Sequence, residues 1–335
     1  MARYLVVRLG SLGDLVHTLP AVSAIRRAHP DAEIDWLVDA AHVDFLSLVP
    51  VIDRLVVLRD RTARGWLAVR RELQTRGYDV ALDFQGLLKS AALARLSGAR
   101  RVVGFDRGAL RERSAAPFYT ERVDVGEGRH VIEKNLRLAA ILGASPTPVE
   151  FPLRDVDSAA LSALRAQGVS SMALLNCGAA WPNKRWPPER FGALAKWLRD
   201  RYDLTSVVLW GPGEREIADV IVAASAATAV AAPATGLRDL VALSRAARLM
   251  VSGDTGPTHI AAAVGTPVVA LFGPTSPGRN GPWDPSDIAI SRYDACDCHY
   301  ERQCRRGPEQ WCLGTIKVSE VCSAIDARID RSEHG

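Results

Sequence analysis

Short apolar runs alternate with segments of helical periodicity in the first part of the chain. Runs of about five apolar residues predict strands, and the first four read YLVVRL, EIDWLV, RLVVL and DVALD. Apolar residues recur every three or four positions between them, as in LVHTLPAVSAIRRA and LLKSAALARLSG, which predicts amphipathic helices. Strands that are apolar throughout and alternate with helices are typical of a parallel sheet covered on both faces. An α/β domain is therefore predicted.

The alternation stops once and then restarts. The stretch ASPTPVEFPLRD, residues 144–155, has three prolines and no periodicity, which predicts a linker. Strands MALLNC, TSVVLW, RLMVSG and PVVALFG follow, with helical segments between them. Because 335 residues exceed the usual size of one domain, we expect two. They are predicted as doubly wound, Rossmann-like domains of residues 1–150 and 151–325, facing each other across a cleft. We expect the terminal helix VSEVCSAIDARI to brace the interdomain region.

The composition and the start of the chain indicate the class of protein and its cellular location. Apolar residues make up 48% of the chain and charged residues 24%, which is ordinary for a soluble globular protein. The start, MARYLVVRLGS, lacks the pattern of a secretory signal. No run approaches the ~18 apolar residues of a membrane span. We therefore expect a soluble, cytoplasmic protein.

Charge is distributed unevenly. The net charge of +4 does not by itself indicate nucleic acid, but residues 54–113 contain 14 Lys or Arg against 6 Asp or Glu. Such a local excess favours an anionic partner such as a phosphate, a nucleic acid or a lipid headgroup surface. Solvated helix faces are the alternative explanation for any single arginine in this stretch.

Cysteines crowd the C-terminal end of the chain. Five of the six are Cys296, Cys298, Cys304, Cys312 and Cys322. A disulfide framework is not expected in a cytosolic protein, and C-x-C is tighter than the usual zinc spacing. A metal-bound cluster and a hydrogen-bonded thiol cluster both stay open.

The first strand runs into an unusual turn, Gly10-Ser11-Leu12-Gly13-Asp14. A strand–glycine–helix junction commonly binds phosphate, because free helix N–H groups point there. A carboxylate at Asp14 would repel a phosphate. The spacing fits a helix cap and a catalytic base equally well. His17, one turn further along, is either a packed histidine or a contact to an acceptor substrate.

Three polar turns follow strands of the C-terminal half. The strand RLMVSG leads into Asp254–His259 and a helix, with Pro257 suited to the first helical turn. A helix that begins there offers an anion site, although capping alone also explains these residues.

Lys184 follows the strand MALLNC and can neutralise a pyrophosphate, while Glu214 or Glu216 follows TSVVLW and can bind ribose hydroxyls. The three turns together favour a nucleoside diphosphate. The chain has no G-x-G-x-x-G after its first strand, no P-loop and no Y-x-x-x-K. These absences count against a dehydrogenase, a P-loop NTPase and a nucleotide-sugar epimerase.

Several motifs in order along the chain resemble the heptosyltransferases of glycosyltransferase family 9, which build the inner core of lipopolysaccharide from ADP-heptose. They are RLGSLGDLVHTLPA, DFQGLLKSAAL, KRWPPERF, WGPGERE and SGDTGPTHIAAAVGTPVVALFGPTSP. The likeness spans residue 3 to about residue 325 in order. DFQGLLKSAAL resembles the enzymes that add the first heptose to Kdo, whereas CDCHYERQCRRGPEQWCLGTI resembles the second-heptose branch. The subclass stays open.

The resemblance implies a GT-B fold and an inverting transfer without a cofactor or obligatory metal. The single D-x-D, Asp155-Val156-Asp157, lies at the end of the linker. Asp14 would be the catalytic base and Lys184 would neutralise donor phosphate. Asp254 would hold the sugar or its loop. The pyrophosphate would be bound by Thr255, Gly256 and His259, and the ribose by Glu214 or Glu216.

The implied acceptor is Kdo-lipid A or inner-core lipopolysaccharide, reached by peripheral contact with the inner face of the cytoplasmic membrane, and no nucleic acid partner is implied. Its anionic groups would be bound by Arg61, Arg64, Lys89, Arg107, Arg111 and Arg113. Two alternatives are a family 9 enzyme with another donor or acceptor and a non-enzymatic lipid A-binding protein.

Overall fold

The protein is described by a computed structural model that covers residues 1–307 and 312–333. The chain divides into two compact units, Met1–Arg154 and Asp155–Gly335. Each unit contains one six-stranded sheet.

All strand pairs of the first sheet are parallel, in the order β3-β2-β1-β4-β5-β6. The strands are β1 Arg3–Val7, β2 Glu33–Asp39, β3 Arg54–Leu58, β4 Val80–Asp83, β5 Arg101–Phe105 and β6 Glu121–Val123. The helices of this unit are α1 Leu12–Val16, α2 Leu19–Ala28, α3 Val43–Leu46, α4 Ala63–Gln74, α5 Leu88–Leu96 and α6 Val131–Ala139.

The second sheet is also parallel, in the order β12-β11-β10-β7-β8-β9. The strands are β7 Met172–Asn176, β8 Thr205–Leu209, β9 Ala229–Ala231, β10 Leu249–Gly253, β11 Val268–Phe272 and β12 Ile288–Ser291. The helices are α7 Ala159–Ala166, α8 Pro188–Tyr202, α9 Arg215–Ala224, α10 Leu237–Ala246, α11 Gly256–Ala263, α12 Pro277–Asn280 and α13 Val318–Glu333.

Both sheets have the same topology. Counted from its own first strand, each has the order 3-2-1-4-5-6, which is that of a doubly wound dinucleotide-binding fold. The winding direction reverses between β1 and β4 in the first sheet and between β7 and β10 in the second. Ligands of such sheets bind beyond the carboxyl ends of the strands at this switch point. The α/β class and the two Rossmann-like domains predicted from the sequence are confirmed.

The central strands are apolar because helices cover both faces of each sheet. Leu5, Val6 and Val7 of β1 are fully buried, and every residue of β7 and β11 is buried. Burial of each such side chain stabilises the fold by about 1.5–3 kcal/mol. In the second unit α13 packs on α8, β11 and β12.

The predicted helix LVHTLPAVSAIRRA differs from the structure, where α1 ends at Val16 and α2 begins at Leu19. Pro20 explains the break, because it lies in the first turn of α2, where its missing N–H is not needed. Among the described residues, none of the helices is both long and apolar enough to cross a membrane.

Candidate active site

Asp14 lies where the first sheet reverses its winding direction. It occupies the third position of α1, directly after β1, and its Oδ2 accepts hydrogen bonds from Ser11 N at 3.3 Å and Ser11 Oγ at 3.1 Å. These contacts cap the first turn of the helix. The side chain of Asp14 remains 17% exposed. The carboxylate therefore caps the helix and is also accessible.

Arg8 forms an ion pair with this carboxylate from the protein interior. Its Nη2 lies 2.6 Å from Asp14 Oδ1, and its Nη1 donates to the carbonyl oxygen of Phe84 beyond β4. Only 3% of Arg8 is exposed. Arg8 was not among the residues predicted from the sequence, although a charged residue at the end of the apolar run YLVVRL was a signal.

Residues of the motif DFQGLLKSAAL form hydrogen bonds that fix the loop after β4. Asp83, at the end of β4, is buried and accepts hydrogen bonds from Gln85 N, Ser90 Oγ and Tyr119 OH, each at 2.8 Å. Burial raises the pKa of Asp83, and these hydrogen bonds oppose that effect. Leu9 N donates to Gln85 Oε1 at 2.9 Å. The motif therefore fixes the loop after β4 against the chain that leads to Asp14.

All six basic residues proposed for the acceptor follow strands of the first sheet on its carboxyl side. They are Arg61 and Arg64 after β3, Lys89 after β4, and Arg107, Arg111 and Arg113 after β5. The arginines are exposed and Lys89 is half-buried.

Two of the six form ion pairs with described acidic side chains. Arg111 Nη1 lies 3.8 Å from Asp14 Oδ2, and Arg61 Nη2 lies 3.1 Å from Asp39 Oδ2. His17 is 4% exposed, and its ring packs edge-on against His130 at 5.6 Å. This favours the packed alternative for His17.

Asp254 follows β10 at the switch point of the second sheet and is the centre of a buried polar network. Its Oδ2 accepts from Lys184 Nζ and Thr275 Oγ1, each at 2.6 Å. Its Oδ1 accepts from Asn280 Nδ2 at 2.7 Å and lies 3.1 Å from His259 Nε2. Burial opposes ionisation, but the His259 imidazole and the Lys184 ammonium outweigh it and hold the pKa of Asp254 well below its usual value. Neither Thr275 nor Asn280 was predicted from the sequence.

Lys184 ends a short 3-10 turn, Pro182–Lys184, after β7. Its Nζ lies 4.6 Å from the centroid of the Trp181 ring and also donates to the carbonyl oxygen of Asp254 at 3.2 Å. A Cβ atom at Gly253 would lie 2.5 Å from the Lys184 carbonyl oxygen. The end of β10 thus needs glycine to let the lysine turn approach.

The first turn of α11 directly follows Asp254. Thr255 is its N-cap residue and Gly256 its first residue, both half-buried. Asn176 Nδ2, at the end of β7, donates to Thr255 Oγ1 at 3.1 Å. The N–H groups at the start of α11 are suited to a phosphate.

Glu214 lies nearer to this site than Glu216. Its Oε1 is 3.1 Å from Arg185 Nη2, and its Oε2 accepts from Gly211 N at 2.9 Å. A Cβ atom at Gly178 would lie 1.8 Å from Glu214 Oε2, so the carboxylate packs against the loop after β7. Glu216 is exposed on α9.

Four cysteines gather elsewhere in the second unit. A cavity of about 80 Å³ is lined by Cys296, Cys298, Cys304 and Cys312. Cys298 Sγ lies 4.0 Å from Cys304 Sγ and accepts from Arg305 N at 3.1 Å. Within residues 1–307 and 312–333, no three side chains of the metal-binding types stand as a ligand set. The cluster contains a thiol–thiol contact and a thiol–backbone hydrogen bond, and residues 308–311 of the segment lie outside the described residues.

Chemically, the first unit provides an accessible carboxylate on the side of the sheet where the basic residues lie. The second provides a cation, a helix N-terminus and a carboxylate beside one another. The first arrangement can accept a proton from a substrate that is itself anionic, and the second can bind a diphosphate.

Comparisons with known proteins agree with this chemistry. The sequence model of glycosyltransferase family 9 (heptosyltransferase) matches residues 66–309. Lipopolysaccharide heptosyltransferase 1 of Pseudomonas aeruginosa is 31% identical over 318 residues, which are 92% of this chain and 89% of the relative. The enzyme of the same name from Escherichia coli K12 is 30% identical, over 83% of this chain and 90% of its own.

Solved structures of the family have the same fold. E. coli heptosyltransferase WaaC with ADP aligns over 98% of both chains with a TM-score of 0.76 and 26% identity. A glycosyltransferase family 9 protein of Veillonella parvula aligns over 98% of both chains with a TM-score of 0.85 and 24% identity, which supports the fold alone. The predicted GT-B fold and glycosyltransferase activity are thus confirmed. The protein is a heptosyltransferase of lipopolysaccharide biosynthesis, and the chain belongs to glycosyltransferase family 9.

Proposed function

We propose that the protein transfers a heptose from ADP-heptose to the Kdo/heptose inner core of lipopolysaccharide, with inversion at the anomeric carbon. The observation that carries the proposal is Asp14, an accessible carboxylate at the switch point of the first sheet. A phosphate would be repelled there, whereas a hydroxyl about to lose its proton would be stabilised.

In the proposed reaction the acceptor hydroxyl oxygen attacks the anomeric carbon of the heptose. Asp14 takes the hydroxyl proton, and the bond between the anomeric carbon and the ADP oxygen breaks with its electron pair leaving on ADP. A single displacement of this kind inverts the anomeric configuration. The carboxylate also stabilises positive charge that develops on the sugar ring, by analogy with glycosidases.

Donor binding is proposed for the loops at the switch point of the second sheet. Lys184 compensates the charge that ADP gains, and Thr255, Gly256 and His259 place the start of α11 at the pyrophosphate. Asp254 holds these groups in place through its buried network. Glu214 is preferred to Glu216 for the ribose because it packs against the loop after β7. Structures of the E. coli relative contain ADP and ADP-2-deoxy-2-fluoro heptose, which supports an adenosine diphosphate donor.

Acceptor binding is proposed for the basic loops of the first sheet. Arg61, Arg64, Lys89, Arg107, Arg111 and Arg113 lie on its carboxyl side, as Asp14 does. They suit the carboxylate of Kdo and the phosphates of lipid A. A lipid-anchored acceptor places the enzyme at the inner face of the cytoplasmic membrane through peripheral contact.

The test is a transfer assay with ADP-heptose and Kdo-lipid A, read by ADP release and by the mass and anomeric configuration of the product. Asp14→Asn should lower kcat by about 100- to 10,000-fold and leave the affinity for ADP unchanged. Asp124→Asn is the matched control, because this exposed carboxylate of the same unit also accepts a backbone N–H. Near-normal turnover by Asp14→Asn would remove it as the base.

Calorimetry with ADP, UDP and GDP, with and without a chelator, tests the donor separately. Selective binding of ADP that the chelator does not change is expected. Preference for UDP or GDP would indicate another family 9 donor.

A further inference from the structure

The contacts of Asp14 divide its two carboxylate oxygens between different surroundings. Oδ1 faces inward to Nη2 of Arg8 at 2.6 Å. Oδ2 faces Ser11, which is exposed, and Arg111 at 3.8 Å, whose side chain is 53% exposed. Of the two oxygens, Oδ2 is therefore the one that lies beside exposed side chains.

Arg8 is fixed on several sides. Its carbonyl oxygen accepts from Trp36 Nε1 at 3.0 Å, its backbone N–H donates to Leu37, and its Nη1 donates to Phe84. These partners belong to β2 and to the end of β4, the two neighbours of β1. The backbone of Arg8 is thus bonded to β2, and its guanidinium is anchored by the carbonyl oxygen of Phe84, the residue that follows β4.

The same arginine is poorly explained by stability alone. Its Nε is buried and has no hydrogen-bond partner among the described residues. A buried donor without a partner destabilises a fold by about 1–3 kcal/mol, and an apolar side chain at this site would avoid that penalty. A buried cation is retained here at a cost, next to the proposed base.

We infer that Arg8 is a positioning residue that holds Oδ1 of Asp14, so that Oδ2 is the oxygen that accepts the acceptor's proton. This inference rests on the proposed role of Asp14 and specifies it. The guanidinium fixes the rotation of the carboxylate and keeps it ionised over a wider pH range. Other charged or titratable groups around this turn are Arg111, His42, which packs against Gly10, and His17, which follows α1.

The experiment compares Arg8→Met and Arg8→Lys by kcat, KM and the pH dependence of the rate, in the full-length protein. Arg8→Met should lower kcat by about 100-fold, the effect of misplacing a catalytic group by about 1 Å, with little change in the KM for donor. The acid limb of the pH–rate profile of Arg8→Met should move to higher pH, because a carboxylate that has lost its cation is protonated more easily. Arg8→Lys keeps the charge but not the planar guanidinium, which contacts Asp14 and Phe84 through separate nitrogens. The acid limb of its pH–rate profile should therefore stay in place while kcat falls.

A double variant separates positioning from a general structural effect. If Arg8 acts through Asp14, Arg8→Met should lower kcat no further in an Asp14→Asn background. Arg101→Met is the matched control, because Arg101 forms an ion pair with Glu121 at 2.6 Å within the same unit. An unchanged acid limb in Arg8→Met, or additive losses in the double variant, would overturn the inference. Near-normal turnover of Asp14→Asn would instead overturn the proposed function.

Discussion

Asp254 shows at the scale of one residue how a buried carboxylate is kept ionised. Four side chains from three segments of the second unit meet its two oxygens: Lys184, His259, Thr275 and Asn280. Both oxygens are fully engaged within the protein, so Asp254 shapes the site and leaves contact with a ligand to its partners.

The lowered pKa of Asp254 predicts a stability that depends on pH. The unfolded chain has an Asp pKa of about 3.9, so the stabilisation is fully present above that pH and is lost as the pH falls towards the lower folded-state pKa. Asp254→Asn should lose about 3–5 kcal/mol at neutral pH, as expected when a buried ion pair is broken. Below about pH 4 the difference from the wild type should shrink.

Urea unfolding between pH 3 and pH 7 measures this effect. Asp203→Asn is the control, because its side chain is 91% exposed and pairs only with Arg199 on the surface. Such pairs contribute about 0–1 kcal/mol. A pH-independent difference between wild type and Asp254→Asn would contradict the linkage.

Lys184 gives a second prediction at this scale. Lys184→Ala should weaken ADP binding by about 10- to 100-fold, since a hydrogen bond to a charged group contributes about 1.5–3 kcal/mol. It also leaves the charge of Asp254 uncompensated beside the phosphates. Calorimetry with ADP measures the change, and Lys196→Ala, an exposed lysine on α8, should bind normally. Unchanged affinity in Lys184→Ala would place the phosphates elsewhere.

At the scale of elements, the end of β10 determines how closely the lysine turn can approach. Gly253→Ala would place a methyl group 2.5 Å from the Lys184 carbonyl oxygen. We expect the Pro182–Lys184 turn to shift, and both thermal stability and ADP affinity to fall. Gly236→Ala is the control, because its Cβ would meet only Asp239 Oδ2, at 3.7 Å. If Gly253→Ala and Gly236→Ala had the same thermal stability and the same affinity for ADP, the Pro182–Lys184 turn would tolerate displacement.

The sequence predicted elements better than it predicted the site. Continuous apolar runs identified the central strands, because strands covered on both faces have few polar positions. The edge strands β6 and β9 are less buried and have only three residues each, which is too short for such a run. Asp14, Lys184 and Asp254 could be proposed because each follows a strand and lies before or within the helix that comes next.

The missed residues depend on distant parts of the chain. Thr275 lies 21 residues and Lys184 70 residues from Asp254, and only the strand order brings them together. Arg8 contacts Phe84, 76 residues away. Periodicity and motif spacing report local structure, so neither could reveal these pairs.

The whole molecule carries its cationic excess in the loops of one unit. Arg61→Glu combined with Arg64→Glu should raise the KM for the lipid acceptor and leave the KM for donor unchanged, because both residues follow β3 on the carboxyl side of the first sheet. The effect should weaken as salt is added. Arg165→Glu with Arg201→Glu makes the same change of net charge on exposed positions of the second unit and should leave both constants near normal. If neither KM of the Arg61→Glu and Arg64→Glu double variant differed from that of the wild type, the acceptor would bind elsewhere.

One topology used twice has a consequence for how such an enzyme can diversify. Asp14 follows the first strand of one sheet and Lys184 follows the first strand of the other, so equivalent places in two copies of a scaffold carry opposite charges. In the proposed reaction, the acid belongs to the nucleophile and the cation to the leaving group. The residues proposed for the two tasks are therefore encoded in separate halves of the gene. A lineage can acquire a new activated sugar through changes in the second half while the first half keeps its acceptor specificity. Recombination near codon 154 would exchange one specificity as a block and leave the other untouched.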